Sequence, residues 1–189
     1  MKKAMLALGV LAALVASTRA KEMSVISGTL LGHDGKPMRK AQIQLLPREF
    51  DRQALQVVEV AEDGSFEIQF NHTGLLYLNF TGVDHYEHTV PLLVEKPLRE
   101  KFSVRLRLYE YAENLSNISI IGDFNNFNFR SARPMVKQPD GTFIFEMDTT
   151  ASTFAYQILG AEKTGRSING TQSEDFTYDG GGDYHSVVK

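Results

Sequence analysis

The sequence predicts an all-β protein: two antiparallel β-sandwich domains in tandem behind a signal peptide. Three observations carry that prediction. Between Met23 and Tyr109 short apolar–polar alternations recur seven times between glycine, proline and aspartate turns, and no stretch reads as a convincing helix. A polar segment, Glu110 to Ser116, then separates this run from a second series of strand and turn signals reaching Lys189. The first residues have the build of an export signal, with Lys2 and Lys3 before an apolar run from Ala4 to Ala16 and small residues at Thr18 and Ala20.

That apolar run is shorter than the roughly 20 residues needed to span a bilayer, so cleavage after Ala20 and release to the periplasm or the exterior are expected, with no membrane attachment afterwards. The boundaries are then 1–20 for the signal, 22–110 for the first sandwich and 114–189 for the second. A hydrophobic content of 42% and a net charge of −3 suit a globular protein and argue against a nucleic-acid or membrane-surface partner. The chain has no cysteine, which removes thiol catalysis, disulfides and thiolate metal sites, so each domain must be held by its own core.

The elements follow in order. Ser24 to Leu31 alternates and closes on the turn Gly32 to Met38; Ala41 to Leu46 alternates again and stops at Pro47. Leu55 to Val60 leads through Glu62-Asp63-Gly64-Ser65 into Phe66 to Phe70, with Phe66, Ile68 and Phe70 on one face. Gly74 to Phe80 and Val90 to Val94 are the next strands. In Lys101 to Leu108, Phe102, Val104, Leu106 and Leu108 face inward while Arg105 and Arg107 face out. Beyond the boundary, Ile118 to Asn128 runs from an apolar strand into a Gly-Asp-Phe-Asn-Asn turn that displays Phe127 and Phe129 and sends Phe124 into the core. Phe154 to Leu159 and the glycine-led Asp179 to Val188 supply the closing strands.

Two family resemblances follow from these motifs. Gly28-Thr29-Leu30, Asp34-Gly35-Lys36-Pro37, Ala41 to Leu45, Asp63-Gly64-Ser65-Phe66 and Leu76-Tyr77-Leu78, in that order, resemble the prealbumin-like, carboxypeptidase-regulatory type of sandwich. From Asn114 to Lys189 the chain resembles the glycogen-binding modules of AMP-activated kinase beta subunits and starch-branching enzymes, an early-set immunoglobulin-like fold. That second likeness implies α-glucan or other polysaccharide binding. Family members hold glucose units on two tryptophans helped by a lysine and an asparagine; the matching positions here are Phe127 and Ser167 for the tryptophans, Gln157 for the lysine and His185 for the asparagine. The pair of domains is similar to the N-terminal region of exported thioredoxin-like proteins, which implies a periplasmic protein partner as the alternative role.

Nothing in the chain reads as catalytic, and no cofactor or metal is expected. There is no Gly-x-Ser-x-Gly elbow and no phosphate loop, and the pairs Glu62-Asp63 and Glu174-Asp175 are neighbours in turns, not opposed across a cleft. In Asp84-His85-Tyr86-Glu87-His88 the odd spacing would send the two histidines to opposite faces of a strand, so this cluster is expected to be a solvated loop between Phe80 and Val90.

Overall fold

The computed structural model describes residues 22–170 and 175–189, so the export signal expected over residues 1–20 lies outside the described residues. Among the described residues the regular structure is strand, with two single-turn 3-10 helices and no α-helix. Strand β1 (Ser24–Leu31) buries Ser24, Ile26, Gly28 and Leu30 and half exposes the residues between, as a period of two requires. It is followed by β2 (Ala41–Leu46), β3 (Gln56–Glu59), β4 (Ser65–Phe70), β5 (Gly74–Gly82), β6 (His85–Val94), β7 (Arg99–Arg105) and β8 (Arg107–Leu108). These make two sheets, ordered β4-β1-β7 and β3-β2-β5-β6-β8.

Every ladder is antiparallel except β1 on β7, which run parallel with Gly28 opposite Phe102. A Cβ at Gly28 would lie 1.9 Å from the Phe102 carbonyl oxygen, so a side chain there would force the two strands apart. Ile26, Leu30, Phe66 and Ile68 of the first sheet meet Ile43, Leu45, Leu78 and Phe80 of the second, with Phe66 edge-on to Phe80 at 5.7 Å. The single strand expected over Lys101 to Leu108 is divided. At Leu106 the chain leaves the first sheet for the second, and the Leu106 N–H donates to the Leu31 carbonyl at 2.9 Å.

The segment expected to be a solvated loop between Phe80 and Val90 is instead a tight turn and the first half of β6. Asp84 takes a left-handed backbone at φ 65°, a bulge between Phe80 and Gly82 shifts the register, and His85 is buried. Both His85 nitrogens are used within the fold: Nδ1 donates to the Val83 carbonyl at 2.8 Å, and Nε2 accepts from the His33 N–H at 3.1 Å. The alternation is hidden because the face of this strand turned away from the core is also covered, by the C-terminal half.

That half contains β9 (Ser119–Gly122), β10 (Arg133–Pro134), β11 (Val136–Lys137), β12 (Phe143–Ile144), β13 (Phe154–Leu159), β14 (Asp175–Tyr178) and β15 (Tyr184–Val188). Five of them form a sheet ordered β10-β9-β13-β15-β14, and β11 and β12 form a small hairpin. Ile120, Tyr156 and Phe154 line an apolar cleft of about 660 Å³ beside that hairpin, together with Phe143 and Phe145.

The two halves meet through polar groups. Tyr184 shares a hydrogen bond with Thr81 Oγ1 at 3.1 Å, Tyr178 donates to Gln44 Oε1 at 3.3 Å, and Asn169 and Asp84 exchange bonds of 3.2 and 2.7 Å. Tyr86 donates to Glu162, while Asp183 accepts from the Tyr109 hydroxyl at 2.9 Å and pairs with Arg166 at 3.1 Å. The boundary segment itself bridges Tyr111 to Glu162 in β fashion. Burial raises the Tyr109 and Tyr184 phenols far above the ordinary range and pushes Tyr178 up to about 12, so all three stay protonated at any physiological pH. Burial also works against ionisation of Glu162, yet hydrogen bonds from Tyr86, Thr164 and the Arg166 backbone outweigh it and hold this carboxyl below its usual range.

Candidate functional site

Phe127 is displayed by a turn that its own sequence builds. After β9 the chain makes one 3-10 turn, Asp123–Asn125, and Asn125 ties it closed by accepting from the Gly122 N–H at 3.0 Å and donating to the Asn128 and Ser131 carbonyls at 3.0 Å each. Asp123 fastens the turn to the neighbouring strand by accepting from the Ala155 N–H at 2.8 Å. Asn126 and Phe127 then both adopt left-handed backbone, at φ 51° and 54°, with the Phe127 N–H donating to the Gly122 carbonyl at 3.0 Å. Asparagine tolerates that region; a phenylalanine held there is unusual and is paid for by the bonds around it.

The result is a ring laid flat on His185, with centroids 3.9 Å apart and planes 14° from parallel. Phe124, three residues earlier, goes the other way and stacks on Phe145 and Phe154 at 5.4 and 5.9 Å; it is half-buried in this aromatic cluster and not in the core expected for it. Phe129 is 59% exposed and takes no part in the stack.

No family model matches the chain, and no curated protein matches its sequence. Among solved structures it overlaps a DUF3823 family protein from Bacteroides ovatus (13% identity, TM-score 0.33, covering 76% of this chain and 93% of that one). A DUF3823 family protein from Parabacteroides merdae gives 11% identity and a TM-score of 0.35 over 89% of this chain and 97% of that one. A Bacteroides uniformis protein of conjectured carbohydrate-binding function gives 12% and 0.36 over 87% and 97%. These overlaps are too loose to transfer an activity or a site.

Of the four residues singled out by sequence, the structure brings Phe127 and His185 into contact and sets Gln157 beside them. Tyr156 pairs with Ser186, so the next residues along, Gln157 and His185, share the opposite face of the sheet. Gln157 is only 3% exposed, and its amide nitrogen donates to Asp179 Oδ2 at 3.1 Å and to the Tyr184 carbonyl at 3.2 Å. It braces the strand under His185. Ser167 is buried next to the Ile158–Ile168 bridge, so Phe127 and His185, each half-buried, are the pair that reaches the surface.

Burial pushes the His185 imidazole below its ordinary value, against the opposing pull of Asp179 and Asp123. The unfolded chain, near its reference value of about 6.5, therefore takes up the proton first as pH falls. His185's contribution to stability is full at neutral pH and declines below about pH 6.5. Thermal unfolding between about pH 7.5 and 5 should show a decline that is smaller in His185→Phe, which keeps a flat ring without a titrating group. Identical pH profiles would put the imidazole in water.

The residues that sequence reasoning missed are those of the polar seam. Gln42 and Gln44 lie on the face of β2 away from the core, yet they are 6% and 8% exposed. Their signal was present: neutral amides, where a solvated strand usually carries charges, suit a face that another domain covers.

Proposed function

We propose that this protein is a non-catalytic, exported binding module that holds a polysaccharide, an α-glucan first among them, against its C-terminal half. The observation that carries the reading is the Phe127–His185 stack, an aromatic surface held in a costly backbone conformation and backed by a second flat ring. Such a surface matches the apolar C–H face of a pyranose. With Gln157 and Ser167 buried, hydrogen bonding around the ring is sparse, and a dissociation constant of about 1 mM, roughly 4 kcal/mol, is the expected scale.

Affinity electrophoresis in glycogen and titration with maltoheptaose test it. Phe127→Ala should weaken binding about tenfold, equivalent to about 1.4 kcal/mol. Loss of the ring stack should also lower the melting temperature by a few degrees, since about 1 kcal/mol corresponds to about 2–4 °C at this chain length. Undiminished binding in Phe127→Ala would reject this ring as the platform.

A second reading, a module that supports a periplasmic protein partner such as a thioredoxin-like one, draws on the apolar cleft of about 660 Å³ beside the β11–β12 hairpin. Absence of binding to every glucan tested would favour it.

A further inference from the structure

A second phenylalanine is displayed elsewhere in the molecule. Phe50, at the tip of the β2–β3 loop, has φ 60° and is 80% exposed. The loop is closed beneath it by the Asp51 N–H donating to the Arg48 carbonyl at 3.2 Å, by the Arg48–Asp51 ion pair at 3.3 Å, and by the Gln53 N–H donating to Asp51 Oδ1 at 3.1 Å. A ring left in water in a left-handed backbone gains nothing for the fold, and its backbone strain is a local cost that these bonds offset.

Beside Phe50 opens a cleft of about 200 Å³ where the two halves meet. Its floor is a row of polar side chains on three adjacent strands: Gln44 stands opposite Asn79, and Asn79 opposite Thr89. They are ordered before any ligand arrives. Asn79 Nδ2 donates to Glu87 Oε2 at 3.2 Å, Asn79 Oδ1 accepts from Thr89 at 3.1 Å, and Gln44 Oε1 accepts from the Tyr178 hydroxyl at 3.3 Å. Gly182 permits the closure, since a Cβ there would meet the Glu87 carboxylate at 2.6 Å. Among the described residues no hydrogen bond uses the Gln44 Nε2 donors or the Arg52 guanidinium at the rim.

The geometry points to a second binding site here, one that takes a single pyranose unit of a neutral glycan. Alternating amide, hydroxyl and carboxylate groups offer donors and acceptors together, which suits vicinal hydroxyls. An apolar ligand would leave that floor unpaired, and an anion would find Arg52 as the one cation on the lining, beside the Asp51 and Glu87 carboxylates that Arg48 and Arg166 already pair. The volume is below the roughly 300–1,000 Å³ of sites for drug-sized ligands, which suits one ring of a glycan whose remainder lies outside the cleft. Phe50 covers the apolar face of that ring. The site shares no residue with the Phe127–His185 surface.

Saturation-transfer NMR of the full chain with glucose, galactose, mannose, xylose and N-acetylglucosamine tests the assignment. At least one of these should bind in the millimolar range. Phe50→Ala should weaken it about 3- to 10-fold at unchanged melting temperature, Phe50→Tyr should retain it, and the loss caused by Phe50→Ala should persist when Phe127→Ala is also present. Binding by none of the five, or equal binding by Phe50→Ala, overturns the proposal. If sugar binding is lost in Phe127→Ala and kept in Phe50→Ala, the C-terminal reading stands and this one falls; the reverse pattern separates them the other way.

Discussion

Leu106→Ala is expected to lower the free energy of unfolding by about 2–5 kcal/mol, the range for deleting a buried leucine side chain with incomplete collapse of the hole. Leu106 is 1% exposed and sits where the chain passes from the β1–β7 sheet to the β6–β8 sheet, so it touches both layers of the core. Its backbone also closes the crossing, through the 2.9 Å bond to the Leu31 carbonyl. β7 is held to β1 by a parallel ladder that runs up to Arg105, so the chain beside the hole has little freedom to close it. Arg105, one residue earlier, is exposed, and Arg105→Ala should stay within about 0.5 kcal/mol. Equilibrium urea unfolding of the two variants checks the contrast. Equal midpoints would mean that the crossing lies elsewhere and that Leu106 does not join the two layers.

The strands legible in the sequence are those whose apolar–polar alternation is bounded by turn residues, whatever covers their outer face. Ser24 to Leu31, Ala41 to Leu46 and Phe154 to Leu159 fall where β1, β2 and β13 fall, because turn chemistry on each side leaves little freedom at the ends. His85 to Thr89 was illegible for a physical reason. Glu87 and Thr89 face Gln44 and Asn79 under the C-terminal half, and the bulge at Phe80–Gly82 turns His85 inward, so polar residues stand where a period-2 reading expects solvent. The division at Leu106 was equally hidden, since a strand that changes sheets keeps its apolar alternation through the change. For the site, the motif Gly-Asp-Phe-Asn-Asn identified the ring that is displayed, but the burial of Gln157 and Ser167 depends on neighbours distant in sequence. Phe50 gave no periodic signal, as a loop residue has none.

Arg166→Met should cost about 2–3 kcal/mol, less than the 3–5 kcal/mol of a fully buried pair because the Arg166 side chain keeps 28% of its surface in water. Asp183 is the residue that feels the loss. Burial raises its carboxyl above the usual range, and Arg166 and the Tyr109 hydroxyl are what oppose that burial. A carboxyl whose folded pKa lies above its unfolded value penalises the folded state at neutral pH, and the penalty fades as pH falls through the folded pKa. The deficit of Arg166→Met should therefore be largest near pH 7 and shrink on acidification toward about pH 4. Adding Asp183→Asn should recover most of it, since the amide oxygen still accepts from Tyr109 at 2.9 Å in the parent geometry and the buried charge is gone, while Glu87, the more distant partner of Arg166 at 3.9 Å, keeps the Asn79 amide as a donor. Unfolding of the parent, both singles and the double at two pH values decides the matter. A double variant no more stable than Arg166→Met, or a deficit that does not change with pH, would mean that Arg166 supports the seam by lying over the Tyr86 ring at 5.9 Å and not by holding the Asp183 charge.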